Sequence, residues 1–519
     1  MIDVLRATLA KLATALPAFS NQQVDSAPPP AAMNPSRCLA LALICVLAKT
    51  ARTAPATRPN VLFIIADDLT ATALACYGSP LARTPNIDRL ATQGTRFTRA
   101  FCQGTYCGPS RASFLSGYYP HAIGALAYQS PRPALGNRAT WPQHFKNAGY
   151  YTARVSKIYH MGVPGGIETG GNSQQTNNGD GADDPASWTE KFNSPGPEWQ
   201  ARGIGETLES NPDGKKPVVG GNTFVVVEAE GDDLVHSDGQ TAAKAVELIK
   251  QHAGQPFFLA VGFVRPHVPF VAPKKYFEPF LPYDKLPLPP KIPGDWDDIP
   301  KAGINYKTSL NMKMNERQQK KALGGYLACV AYMDAQVGLV LAALTAAGLD
   351  DNTIVIFTSD HGYHLGEHDF WAKVSLRDES SMVPLIIRVP GKKPSVCPAL
   401  TELLDLFPTT AALCGLEVPT RLQGKNLTRL FDEPTAPVRD TIFSVAPSSK
   451  GFLLRDHSWA YLQYNENASA GIELFDVRRD PQQYTNLAQK PEFAGIVAEF
   501  QAKLAAKLAA VRTNDLGRN

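Results

Sequence analysis

Three stretches of this chain run apolar and β-branched for six to eight residues and then break off into ionisable side chains. Residues 60–66 (Asn-Val-Leu-Phe-Ile-Ile-Ala) stop at Asp67-Asp68, 257–264 at Arg265-Pro266-His267, and 353–358 at Ser359-Asp360-His361-Gly362. Continuous apolar runs, as opposed to alternating ones, are what a strand buried on both faces requires, so each reads as an inner strand of a mostly parallel sheet. Helical periodicity falls at 87–94, 241–252 and 323–347, the last closed by Gly348. Buried strands alternating with helices predict an open α/β sheet, which gathers its site at the carboxyl ends of its strands. All three polar endings then meet at one sheet edge.

The formal charge of the 519 residues is +3. Residues 1–54 account for all of it, with Arg6, Lys11, Arg37, Lys49 and Arg52 against Asp3 and Asp25, and the remainder holds 46 basic and 46 acidic side chains. A neutral body gives no electrostatic case for nucleic acid as a partner. Within the first segment, residues 38–48 form an apolar run of 11 between Arg37 and Lys49. That is too short to span a bilayer and the right length for a signal-peptide core, a buried helix being the other reading. The expectation is an exported protein, periplasmic or secreted, without stable membrane insertion, whose N-terminal extension and signal peptide occupy 1–54, with Met1 and Met33 both open as the start of translation. Six cysteines remain beyond it, at irregular spacing and with no Cys-x-x-Cys pair, so neither a zinc ribbon nor a disulfide scaffold is supported.

The expected body is a catalytic domain over 55–435 and a C-terminal subdomain over 436–519. The latter shows short strand-like runs at 441–445, 452–455, 459–463 and 473–476, then a helix at 491–511. Residues 162–222 and 279–303, rich in Gly, Asn, Asp and Pro, read as long surface excursions. No internal repeat is visible.

Adjacent aspartates at a buried strand end are costly unless a positive charge neutralises them. Asp67-Asp68 alone reads equally as a helix start with Asp68 as N-cap. Asp360-His361 at a second strand end brings three carboxylates and one imidazole together, a donor set for a hard cation such as Ca²⁺, Mg²⁺ or Mn²⁺.

The most specific pattern is Cys107-Gly108-Pro109-Ser110-Arg111-Ala112-Ser113-Phe114-Leu115-Ser116-Gly117. It is similar to the Cys-x-Pro-Ser-Arg-x-x-x-Leu-(Thr or Ser)-Gly signature of the type I sulfatases, most closely the iduronate-2-sulfatase-like branch. The resemblance continues through Asp67-Asp68, Thr84-Pro85-Asn86-Ile87-Asp88, Ser156-Lys157-Ile158-Tyr159-His160, Arg265-Pro266-His267-Val268-Pro269, Asp360-His361-Gly362 and Trp371-Ala372-Lys373. His361 occupies a position where many sulfatases carry Asn. Ser156, Arg265 and Ser116 stand where the family commonly has Gly, Lys and Thr.

The resemblance implies an alkaline-phosphatase-like fold, a large mixed and mostly parallel sheet flanked by helices, with a smaller C-terminal α+β subdomain on a short antiparallel sheet. It implies conversion of Cys107 to formylglycine by a maturation enzyme, and Ca²⁺ held by Asp67, Asp68, Asp360, His361 and the modified Cys107. Arg111 and Lys157 are then expected to anchor the nucleophile, and His160, which shares a face with Lys157 if that stretch is helical, to drive sulfate elimination. His267 and Lys373 are expected to bind sulfate oxygens and protonate the leaving oxygen, with no order between them. The implied substrate is a sulfated sugar or polysaccharide. A phosphonate or phosphate ester hydrolase and a non-catalytic carbohydrate-binding relative stay open as alternatives.

Overall fold

Along β1 (Asn60–Asp67) no residue is exposed, and successive side chains enter two different cores. Leu62, Ile64 and Ala66 pack with α3 (Ser237–Gln251) and α4 (Glu316–Ala346), while Val61, Phe63 and Ile65 pack with Phe114, Trp141 and Phe407. The period of two that sorts a strand's side chains is thus apolar on both faces, which explains the unbroken run. The computed structural model describes residues 58–163, 180–447 and 450–517. The expected leader and residues 164–179 of the first excursion lie outside the described residues.

The main sheet contains β1, β2 (Thr95–Phe101), β3 (Tyr151–Ser156), β4 (Glu190–Phe192), β5 (Phe257–Pro266), β6 (Thr353–Ser359), β7 (Met382–Arg388), β8 (Ser395–Cys397) and β9 (Thr401–Glu402). Its order is β8-β2-β7-β6-β1-β5-β3-β4, with β9 also on β2. The inner pairs β6-β1, β1-β5 and β5-β3 are parallel, and β7 runs antiparallel to both neighbours. Register brings Ala66 opposite Ser359 and Asp67 opposite Pro266, so the three polar endings emerge side by side.

Residues 180–222 are less of a surface loop than their composition implies. They supply β4 as an edge strand on β3, and Gly203–Thr207, which pairs with Val225–Ala229 in a separate three-stranded sheet completed by Phe270–Pro273. Residues 279–303 do form a chain of short turns.

The C-terminal antiparallel sheet is β10 (Ile442–Val445), β11 (Gly451–Arg455), β12 (Trp459–Tyr464) and β13 (Ile472–Asp476), in sequence order. Helix α5 (Ala494–Arg512) covers it through Val497, Phe500, Leu504 and Leu508, in one core with Tyr118, Tyr119 and Ile123. A bridge from Gly104 to Val445 joins this layer to the segment just before Cys107.

Candidate active site

At the carboxyl edge, β1 ends at Asp67, and Asp68 takes a left-handed backbone with φ of 67°. Aspartate tolerates this region better than most residues, and here the conformation turns two consecutive carboxylates toward one point. The turn is fixed from β6: Asp68 N–H donates to Asp360 Oδ1 at 3.2 Å and Leu69 N–H to Ser359 Oγ at 2.9 Å. His361 Nδ1 donates to the Gly362 carbonyl at 2.8 Å, which leaves Nε2 facing inward, 3.2 Å from both Asp68 Oδ1 and Cys107 Sγ. The ligand atoms of Asp67, Cys107, Asp360 and His361 lie within 4.8 Å of one another, as do those of Asp67, Asp68, Cys107 and His267. The sequence-predicted cation ligands are therefore brought together.

Cys107 is the first residue of α2 (Cys107–Ser116), a helix buried along its whole length, so the positive end of the helix dipole points at the site. A Cβ on Gly108 would lie 2.3 Å from the Ala127 carbonyl oxygen; glycine lets the 127–128 backbone pack against this helix start. Arg111, one turn on, spends its donors on the scaffold. Its Nε donates to Asp360 at 2.8 Å, one terminal nitrogen to Asp67 at 3.1 Å, and the other to the carbonyls of Lys157 and Ile158 at 2.6 and 3.0 Å. It holds the carboxylates in place, where the sequence reading expected it to grip the nucleophile.

Lys157 Nζ reaches Asp67 Oδ2 at 2.5 Å. The expected shared helical face of Lys157 and His160 does not exist, because β3 ends in an irregular turn at Ser156, whose φ is 60°. Gly262 on β5 makes that turn fit: a Cβ there would lie 2.0 Å from the Lys157 carbonyl oxygen. His160 instead stacks on Tyr128, ring centroids 3.9 Å apart, and Tyr128 packs edge-on against Tyr106. Lys157, His160, His267 and Tyr128 line one small cavity. His267 donates from Nδ1 to the Val268 carbonyl and places Nε2 3.9 Å from Asp68. Lys373 Nζ donates to Asp68 Oδ1 and Oδ2 at 2.8 and 3.0 Å and to Cys107 Sγ at 3.3 Å.

Burial opposes ionisation throughout this cluster. It pushes the Asp68 carboxyl up, helped by Asp67 and Asp360 against the pull of Lys373 and His361. At Asp67 burial is outweighed by Lys157, His267, Arg111 and Lys373, which hold the carboxyl well below its usual range. Burial and Asp67 push the Cys107 thiol far up, so as a cysteine it stays protonated and is a poor nucleophile. Burial would neutralise Lys373, but the Asp68 carboxylate keeps it cationic. His267 is driven well down by burial and Lys373. Three buried carboxylates, one with raised proton affinity, converging with the His361 imidazole make a donor set that fits a hard divalent cation.

Tyr128, stacked on His160, and the half-exposed Tyr306, which lines a groove with Val374, could not be picked out from sequence. Neither sits in a motif. His364, His368 and Trp371, given no role from sequence, are buried, and His368 is tied to Asp295 and the Gln482 carbonyl.

The sulfatase family model matches residues 59–416, and that for the C-terminal region of N-sulphoglucosamine sulphohydrolase matches 366–510. Iduronate 2-sulfatase of Homo sapiens is 34% identical over 452 residues, covering 76% of this chain and 78% of that protein. A sulfatase of Formosa agariphila is 30% identical over 465 residues, covering 86% of each. Among solved structures, a phosphonate monoester hydrolase from Silicibacter pomeroyi superposes with a TM-score of 0.70 at 22% identity, over 88% of this chain and 96% of that one. A 2-O GAG sulfatase gives 0.65 at 23%, over 88% and 93%; at such identities the likeness shows the alkaline-phosphatase-like fold alone. The family match over most of the chain, with a curated sulfatase above 30% identity, shows that this protein belongs to the sulfatase family and is a sulfuric ester hydrolase.

Proposed function

We propose that this sulfatase removes sulfate from a sulfated carbohydrate, in the manner of the iduronate-2-sulfatase-like branch, with formylglycine at position 107 and Ca²⁺ beside it. The observation that carries the reading is the convergence of Cys107, three buried carboxylates, His361 and the Lys373 ammonium on one point. Iduronate 2-sulfatase at 34% identity and the family's C-terminal match support a sugar substrate. The apolar run at 38–48 supports export, the body dividing into a catalytic domain over 55–435 and a subdomain over 436–519.

Asp67, Asp68, Asp360, His361 and residue 107 would hold the cation. When bound, the cation neutralises sulfate oxygens, and hydrated formylglycine offers two hydroxyls on one carbon, one to attack sulfur and one whose deprotonation releases sulfate. The chain's own side chains do the rest. Arg111 and Lys157 fix the orientation of Asp67 and Asp360. Lys373, cationic and 3.3 Å from the residue-107 side chain, is placed to give a proton to the leaving oxygen. His267 has its Nδ1 proton committed to a carbonyl, so its Nε2 receives hydrogen bonds unless the ring is charged. His160, held by Tyr128, is assigned as the base. The formylglycine-generating maturation enzyme is the partner this scheme requires.

Turnover of aryl sulfate, aryl phosphodiester and phosphonate monoester, measured side by side, tests the assignment. Sulfate ester hydrolysis should dominate; faster phosphoester or phosphonate hydrolysis would overturn it.

A further inference from the structure

Next to the reactive point lies a second groove that none of the roles above uses. Its volume is about 380 Å³, within the range of ligand pockets. One wall is 302–306, another is 374–376, which begins directly after Lys373, and the third comes from the C-terminal layer through Ala446, Pro447, Lys450 and Tyr464. Its position relative to residue 107 is fixed by the backbone. Thr105 N–H donates to the Val445 carbonyl at 3.1 Å, Val374 N–H donates to the Thr105 carbonyl at 3.0 Å, and the Thr105 hydroxyl donates to the Val374 carbonyl at 2.8 Å. Two residues before the nucleophile, the chain is therefore clamped between two of the groove's walls. Tyr306 is the half-exposed aromatic side chain of this groove.

The polar groups of this groove are mostly committed. Tyr464 donates to Glu473, and Asn305 donates to the Trp371 carbonyl and accepts from Tyr306 N–H. Lys450 differs: it is exposed, is the groove's one cation, and takes part in no ion pair among the described residues. A lysine is a compact, flexible charge that pairs with either a carboxylate or a sulfate.

We propose that this groove holds the sugar ring adjoining the sulfated one, with Tyr306 against the ring and Lys450 paired to an oxyanion on it. The enzyme then selects polyanionic oligosaccharides over single sulfated rings. This rests on the sulfated-carbohydrate reading and names the extent and charge of that substrate.

The test uses the matured full chain and four sugars with the same scissile sulfate: a monosaccharide, and disaccharides whose second ring is neutral, carboxylated or sulfated. Aryl sulfate serves as a control. Lys450→Ala and Lys450→Glu should lower kcat/KM on the anionic disaccharides by about tenfold or more, chiefly through KM. Turnover of aryl sulfate, the monosaccharide and the neutral disaccharide should be unchanged. The carboxylated and sulfated arms tell which oxyanion Lys450 meets. Equal effects on every sugar, or none on the anionic ones, would overturn the groove assignment while leaving the sugar reading intact. Aryl sulfate turnover with no sugar hydrolysed would overturn both.

Discussion

The Lys373 ammonium lies 3.3 Å from the Cys107 thiol, although 266 residues separate them in the chain. Asp68 anchors the ammonium at 2.8 Å, which under the proposed scheme fixes a proton donor beside the attacking group. Removing a general acid costs most when the leaving group is a poor one. Lys373→Met should therefore lower kcat on a sulfated sugar by about 10²–10⁴-fold, and on an aryl sulfate with a good leaving group by much less. His267→Asn should show a weaker dependence on the leaving group. Rate plotted against leaving-group pKa for both variants checks this, and equal slopes would remove the distinction between the two residues.

Cys107→Ala should abolish sulfate release, by about a thousandfold or more, while thermal unfolding stays close to wild type. The thiol is buried, but the lost volume is one sulfur atom at a helix start held by Ser110 and Arg111. Activity together with circular dichroism separates loss of chemistry from loss of fold.

Gly262→Ala should damage the site without touching a reactive group. The added methyl would sit 2.0 Å from the Lys157 carbonyl oxygen, which Arg111 also binds. Strain of about 1–3 kcal/mol is expected, with reduced cation affinity because Arg111 and Lys157 both orient Asp67. Denaturant unfolding and calcium titration measure the two effects.

A pH effect on stability resides in a carboxylate outside the reactive cluster. Asp334 on α4 accepts from the Asn86 and Ile87 backbone N–H groups at 3.1 and 2.8 Å, at the start of α1 (Pro85–Ala91). Burial pushes its carboxyl from 3.8 up to about 6 despite these donors. Because the folded value lies above the unfolded one, the folded state binds the extra proton. This group's contribution thus falls as pH rises through about 4 to 6 and is level above, by about 3 kcal/mol in total. The stability of wild type relative to Asp334→Asn should decline across that window; a difference that rises with pH would contradict the sign.

Chelation should inactivate the matured enzyme and Ca²⁺ should restore it, since the three carboxylates are buried and mutually repulsive. Activity after exhaustive chelation, with metal content measured on the same sample, is the check.

Much of this site could be read from sequence because parallel inner strands write themselves as unbroken apolar runs, and their ends mark where function collects. Asp67, Asp68, Asp360 and His361 were legible for that reason, and Cys107 through its local pattern. What escaped depends on contacts between distant segments. Nothing near Arg111 announces that its donors go to Asp67, Asp360 and the backbone at 157–158. Arg265, which departs from the family's lysine, is explained by Glu198, a buried partner in the segment read as a surface excursion. Tyr128 reaches His160 only because Gly108 admits the 127–128 backbone. The 203–207 strand lacked an apolar run because its residues are largely exposed, leaving no pattern to detect.

The chemistry turns on the side chain at position 107, which is read out by the mass of the tryptic peptide 100–111 from protein made alongside a formylglycine-generating enzyme. Formylglycine is expected at 107, with the cysteine sulfur gone and Cys102 unchanged. An unmodified thiol at 107 in protein that turns over sulfate esters would contradict it.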